Sequence, residues 1–301
     1  MKTNTLKQLS ALLTVALVMA LAVTSCKKKS DVALPQIGGY NNANEVAAAN
    51  LMAFWGFEGT QKDDKSGVSP AQVVGASYVP SFKGQGISLT NGFLYYTGVT
   101  GLSSVTTAFS VSAWFQVQDN ATATTGGLPN NIFQYVRANP SANVNNPFGN
   151  INFTLETGAF KHTPATGYDT LIIHPTYRDP AGGLQDNINN YPINATNIVK
   201  DTAGKWISSV ITYDPTTHLF NIWANGNKIG NFPDRGTNVY TPSASTNAII
   251  GGWISNVTGS GVNPQAFAVP FNGYIDEVRI FNKALTDAEI NSLYLLEKAG
   301  R

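Results

Sequence analysis

The chain has 301 residues, a formal net charge of +1, and only 12% charged side chains, against the roughly 25% usual in soluble proteins. That balance provides no basic field for nucleic acid, and a single cysteine excludes an internal disulfide framework. The polar surface is left to Asn, Thr, Ser and Gly, which suits an extracytoplasmic protein meeting uncharged polar partners such as sugars.

The first feature in chain order is a secretory signal. Lys2 and Lys7 precede the apolar run "LSALLTVALVMALAV", and Thr24 and Ser25 lead into Cys26. The run is too short and wrongly flanked for a membrane span. "VTSC" resembles the bacterial lipobox, which implies cleavage before Cys26, thioether lipidation of its sulfur and acylation of the new amine. The other reading is a soluble secreted protein with an ordinary cleavage site. Lipidation makes the membrane an anchoring partner rather than a barrier crossed. Lys27, Lys28 and Lys29 would then lie on the head groups, each gaining about 1 kcal/mol on an anionic surface. Nothing acidic follows Cys26 directly, so the expected location is the cell envelope, at the outer membrane, in either leaflet. The expected organisation is a signal peptide over 1–25, a lipid-anchored flexible tether over 26–50 and one body over 51–301. "EVAAAN" adds a helical turn to the tether.

From Leu51 onward short β-branched or aromatic runs bounded by Gly, Pro, Asn or Asp predict strands: "LMAFWGF", "GISLT", "FLYYT", "FSVSAWFQV", "NIFQYV", "NINFTLE", "DTLIIH", "WISSVITYD", "LFNIWANG", "NAIIGG" and "FNGYIDEVRIF". In "FSVSAWFQV" Phe109, Val111, Ala113, Phe115 and Val117 share one face, with Ser110, Ser112 and Gln116 opposite, the alternation of a half-buried antiparallel strand. Asp214-Pro215 and Asn225-Gly226 mark two hairpin turns. Thr286, with Glu289 three residues on, forms a capping box for a terminal helix. Ile290, Leu293 and Tyr294 on one face of that helix predict packing against the body. Many short strands and one helix predict an all-β, two-sheet antiparallel sandwich. Polar inserts after Gln118, Arg137 and Thr176 are long enough to be functional loops.

The segments "LMAFWGFEG", "FKGQGISLT", "FSVSAWFQV", "KWISSVITYDPTTHLFNIWANGNKIG" and "FNGYIDEVRIFNKALTDAEINSLY" occur in the order seen in laminin-G-like, concanavalin A-like jelly-roll domains of bacterial surface lipoproteins. The resemblance runs over about residues 51–294 and is most specific over 205–230 and the C-terminal stretch. It implies two stacked antiparallel sheets, one concave, with first and last strands adjacent. Functions among such domains range over sugar binding, adhesion and attachment to catalytic modules, so the fold alone does not give the activity.

Asp276 raises a local question, because strict alternation places it on the face of Val278 and Ile280. A buried unpaired carboxylate is costly, so it must be hydrogen-bonded, neutral or metal-bound. If the resemblance holds, Glu58 at the end of the first strand converges on Asp276, and Ca²⁺ held between them, with backbone carbonyls near Gly84, would relieve their repulsion. The alternative is that Asp276 caps loop amides and Glu58 faces solvent. Asp63 and Asp64 read as a turn. Catalytic patterns are scarce: His162, His174 and His218 lack metal spacing, Glu156 is the one acid in its strand, and no Gly-x-Ser-x-Gly elbow is present. A non-catalytic module binding a polysaccharide or a surface protein is therefore expected. A structural or adhesive role in a surface assembly is the alternative, with a glycoside hydrolase third. Candidate ligand contacts are Trp253 at a loop start, Tyr177, Arg178 and Asp179 at the longest insert, and Trp114, whose parity matches the polar side of its strand and whose other reading is core or sheet-surface packing. Trp55 and Trp206 read as core.

Overall fold

The computed structural model describes residues 34–118, 128–156, 170–187, 198–200, 204–229 and 234–301. Cys26, the signal segment and His162 lie outside these, as do parts of the polar inserts. In chain order the strands are β1 (Leu51–Trp55), β2 (Gln72–Pro80), β3 (Gln85–Tyr96), β4 (Phe109–Val117), β5 (Asn130–Tyr135), β6 (Ile151–Glu156), β7 (Thr170–Ile173), β8 (Thr176–Arg178), β9 (Leu184–Asp186), β10 (Ile198–Lys200), β11 (Ile207–Asp214), β12 (Leu219–Ala224), β13 (Asn227–Ile229), β14 (Ala248–Ile250) and β15 (Phe271–Phe281), followed by helix α1 (Asp287–Lys298).

All ladders are antiparallel, and they run in the order β10-β7-β6-β5-β14-β3-β15-β4-β11-β12-β13. The two expected layers are thus one curled sheet, with β3 serving both: its first half pairs β15 and its second half pairs β14. The bend falls where β2 bulges at Gly75 opposite Thr90 and Gly92. A Cβ on Gly92 would lie 2.5 Å from the Val74 carbonyl oxygen, so only glycine lets the backbones approach. This explains why "GISLT" and "FLYYT", expected as two strands, form one. The first and last strands are neighbours, with Trp55 opposite Val278.

The alternating apolar residues of both layers meet in the middle. Phe115 of β4 packs edge-to-face on Phe153 of β6 at 6.2 Å, and Trp55 lies 6.0 Å from Phe133. A second apolar cluster sits outside the β4–β15–β11–β12 layer. There Ile290, Leu293 and Leu296 of α1 pack with Val210, Trp223 and Phe281. The capping box forms as expected, with Thr286 Oγ1 accepting from Glu289 N at 3.3 Å and Thr286 N donating to Glu289 Oε2 at 2.9 Å. Asn225 and Gly226 take φ of 49° and 78°, the left-handed pair of a type I′ hairpin.

Residues 36–50, expected as tether, instead belong to the body. Ala43 and Val46 are buried in the α1 cluster, and Ala43 N donates to the Arg301 carbonyl. The compact unit begins at Gln36. Ile37, Val46 and Leu51 share that one cluster.

Candidate functional site: an aromatic pocket over the β6 face

On the layer formed by β14, β5, β6 and β8, Gln134, Asn152 and Thr176 leave the core and build a polar ladder. Gln134 Nε2 donates to Asn152 Oδ1 at 2.7 Å, and Asn152 Nδ2 donates to Thr176 Oγ1 at 2.8 Å. These amides are buried but hydrogen-bonded, so they fix register rather than destabilise. The same network seats the loop after β14: Gln134 Oε1 accepts from Ile254 N and Asn256 Oδ1 accepts from Trp253 N, both at 2.9 Å. Trp253 is thereby held over the ladder.

A second loop, over residues 143–149, is pinned by two arginines. Arg137 Nη2 donates to the carbonyls of Pro140 and Asn146 at 2.9 and 2.7 Å. Arg178 donates to the carbonyls of Gly182 and Phe148 and to Asn146 Oδ1. Burial, with the neighbouring positive charge of Arg137, pulls the Arg178 guanidinium down to about 10. The loop presents Phe148 against Trp253, edge-on at 5.4 Å and 88°. Phe267 lies 5.8 Å from both, edge-on to Trp253 and stacked at 27° on Phe148.

These rings wall a pocket of about 310 Å³ whose polar lining is Thr154, Glu156, His174 and Thr176. Thr154 and Glu156 share the outer parity of β6, and His174 N donates to the Thr154 carbonyl, which brings the imidazole alongside. His174 Nδ1 is 2.8 Å from Glu156 Oε1, and its Nε2 is 4.0 Å from Asp186 Oδ2. Burial pulls the imidazole down, but the hydrogen bonds and charges of Asp186 and Glu156 outweigh it and raise the pKa above 6.5. Among the described residues Trp253 Nε1 and Thr154 Oγ1 have no hydrogen-bond partner. The pocket therefore offers apolar ring faces beside a few unsatisfied polar groups, the pattern of a small-ligand site.

Of the expected ligand contacts, Trp253 lies at this pocket and the others do not. Tyr177 points into the core, tilted against Tyr213 and edge-on to Phe220 and Tyr240, with its hydroxyl on the Asn238 carbonyl at 2.7 Å. Arg178 is spent on the loop carbonyls. Asp179 closes its own turn, accepting from the amides of Ala181 and Gly183 and from Gln185 Nε2. Trp114 has the predicted outward parity, but that face is covered rather than open. It stacks on Phe82 at 4.0 Å and on Tyr294 of α1 at 5.7 Å, and Nε1 donates to Glu297 Oε2 at 2.6 Å. Trp55 is core as expected, whereas Trp206 is half-buried against Phe82 and Tyr274.

The placement of Asp276 follows from a bulge. The β15–β4 register shifts between Asp276 and Arg279, and Glu277 takes φ of 51°. Ile275 before the shift and Val278 and Ile280 after it all face the core, so the extra residue moves Asp276 to the outer side. There it is fully buried beneath the turn after β2. Oδ2 accepts from Ser81 Oγ at 2.6 Å and Oδ1 from Glu277 N at 2.8 Å. Burial, with the charges of Glu277 and Glu58, pushes the Asp276 carboxyl up to about 8 against these hydrogen bonds. Glu58 lies against Gly84, where an added Cβ would be 2.0 Å from Oε1, and its Oε2 accepts from Gln85 N at 3.2 Å. Glu58, Gly84 and Asp276 thus border one turn. Their donors are all oxygen, which suits Ca²⁺, although no cluster of three or more acidic, His or Cys side chains forms among the described residues. Next to them Glu277 is paired with Lys83 at 3.0 Å and Arg279 at 2.5 Å, and Arg279 also pairs with Glu297.

Fold and pocket together define a concanavalin A-like jelly roll with a polar-floored aromatic pocket on one outer face. Residues 175–291 match the family model of the concanavalin A-like lectin/glucanases superfamily, so the laminin-G-like resemblance holds over the stretch where it is most specific. Among solved structures, the chain is similar to the botulinum neurotoxin serotype G binding domain, at 17% identity and TM-score 0.54, over 82% of this chain and 51% of that one. It is also similar to the binding domain of Paraclostridial Mosquitocidal Protein 1, at 16% and 0.51, over 82% and 52%. A third is the binding domain of botulinum neurotoxin DC in complex with SialylT, at 16% and 0.50, over 84% and 52%. The chain spans about half the length of these binding domains, and at such identities they show the fold alone. No curated protein matches the chain.

Proposed function

We propose that the protein is a non-catalytic carbohydrate-binding module, held at the outer membrane by a lipid on Cys26, and that it takes a neutral glycan in the pocket over β6. The observation that carries this reading is the set of three rings, Trp253, Phe148 and Phe267, walling a floor of hydroxyls and the Glu156–His174 pair. Sugar rings present apolar C–H faces to aromatics and hydroxyls to such a floor. Glu156 is the one carboxylate lining the pocket among the described residues, whereas glycoside hydrolysis uses two across the bond; this favours binding. Fold neighbours solved with SialylT and with rat synaptotagmin II make a glycan or a protein partner compatible with the fold.

The test is a glycan array probed with the wild type, Phe267→Ala and Glu156→Gln, each with and without chelator. Binding of neutral glycans that both substitutions weaken is the expected result. No binding in any state would turn the account to the second reading, a protein–protein module of a surface assembly. That reading draws on β2, where Val73, Val74 and Tyr78 are exposed. Ca²⁺ belongs to the proposal as a structural ion: Glu58, Asp276 and carbonyls of the Gly84 turn would hold it, and it would supply the positive charge that Asp276 lacks. A melting curve unchanged by chelator, in protein first shown to contain calcium, would remove it.

A further inference from the structure

The aromatic pocket does not stand alone. A second cleft of about 350 Å³ adjoins it, lined by Asn143, Asn145, Asn146, Pro147 and Leu184. Phe148 and Phe267 line both clefts. Both rings are partly exposed, and their stacked pair separates the two spaces.

The two clefts differ in chemistry. The first has a titratable floor in Glu156 and His174, whereas among the described residues no charged side chain lines the second. The second offers amides: the Asn145 oxygen is taken by Asn263 Nδ2 and the Asn146 oxygen by Phe148 N and Arg178. Their NH₂ groups make no hydrogen bond among the described residues, which leaves donors available at a cleft without a fixed charge. A ring in this cleft would lie against one side of the Phe148–Phe267 pair while its neighbour lies against the other.

We infer that the site is a two-subsite groove that reads a chain of at least two linked neutral sugars, the first ring over Glu156 and His174 and the next among the asparagines. The inference rests on the glycan-binding reading above and adds chain length to it. It orders the ligands: a monosaccharide fills one cleft, and a disaccharide or longer oligomer fills both without paying a second association cost.

The test is calorimetric titration of the full chain with neutral cello-, xylo-, manno- and arabino-oligosaccharides of one to four units. In a series that binds, the disaccharide or trisaccharide should bind about tenfold or more tightly than the monosaccharide. Leu184→Trp, which fills the second cleft, should bring the ratio of oligomer to monosaccharide affinity down to about one. Asn145→Ala, at an exposed position that leaves the loop clamps in place, should lower the same ratio severalfold and covers the case in which Leu184→Trp misfolds. Equal affinity for monomer and oligomers, or a ratio untouched by either substitution, overturns the two-subsite inference while leaving the single-pocket reading standing. Wild-type protein that binds none of these sugars overturns both.

Discussion

Replacing Asp276 by Asn isolates the energetic consequence of seating a carboxyl beneath the β2–β3 turn. In the folded chain this carboxyl titrates near 8 instead of 3.8, because burial and the adjacent negative charges disfavour its ionised form. The unfolded chain ionises it near the ordinary value. Above that pH the unfolded state binds fewer protons than the folded one, so stability falls as pH rises, until the folded carboxyl itself ionises. The contribution is complete below pH 3.8 and is lost by about pH 8. At about 1.4 kcal/mol per unit, the loss is on the order of 6 kcal/mol, a large share of a typical domain's stability. Asparagine keeps the acceptor for Glu277 N and can donate to Ser81 Oγ, and it does not titrate. Urea unfolding of wild type and Asp276→Asn between about pH 4 and pH 8, in chelator, should show the wild type falling steadily below the variant. Excess Ca²⁺ should restore the wild type most at the high end and leave the variant unchanged. Parallel stability curves for the two proteins would refute the claim that this carboxyl is held neutral.

Further consequences concern the helix-covered face and the pocket. Arg279→Met leaves Glu277 and Glu297 buried without their shared cation and should cost about 3–5 kcal/mol, read by melting temperature and by the fluorescence of Trp114, which hydrogen-bonds Glu297. Thr286→Ala removes the hydroxyl that caps α1 and should cost about 1 kcal/mol in the same melts. The folded pKa of His174 is raised above 6.5, so its pairing with Glu156 stabilises fully below that value and fades as pH rises through the folded pKa. The stability difference between wild type and His174→Gln should accordingly be largest in mild acid and shrink toward alkaline pH; a difference independent of pH would contradict the pairing.

Much of the architecture was legible because it rests on local pattern. The alternation in Phe109–Val117, the Asn225-Gly226 turn and the Thr286 capping box each declare themselves within a few residues. The pocket did not, and the reason is register. Thr154 and Glu156 share a parity with each other, and so do Ile172 and His174, but only the pairing of Glu156 with Ile172 brings acid and imidazole together. Phe148 and Phe267 meet across 118 intervening positions through loops that no period describes. Asp276 was misplaced for a related reason: alternation holds until a bulge intervenes, and nothing in "YIDEV" marks one. Trp114 shows the limit of parity itself. Its outward direction was readable, while the helix that covers it is a tertiary fact. Tyr177 failed in the opposite way, since a loop-like neighbourhood hid a three-residue strand that turns the ring into the core.

The most direct measurement is a crystal structure of the protein with a neutral oligosaccharide selected by its own binding. The account expects a sugar ring against Phe148 and Phe267, with hydroxyls on Glu156 or His174 and the chain continuing toward Asn145. Sugar density resting on the Phe82, Trp206 and Tyr274 rings, or on the β2 edge, with the β6 pocket free of ligand would contradict it.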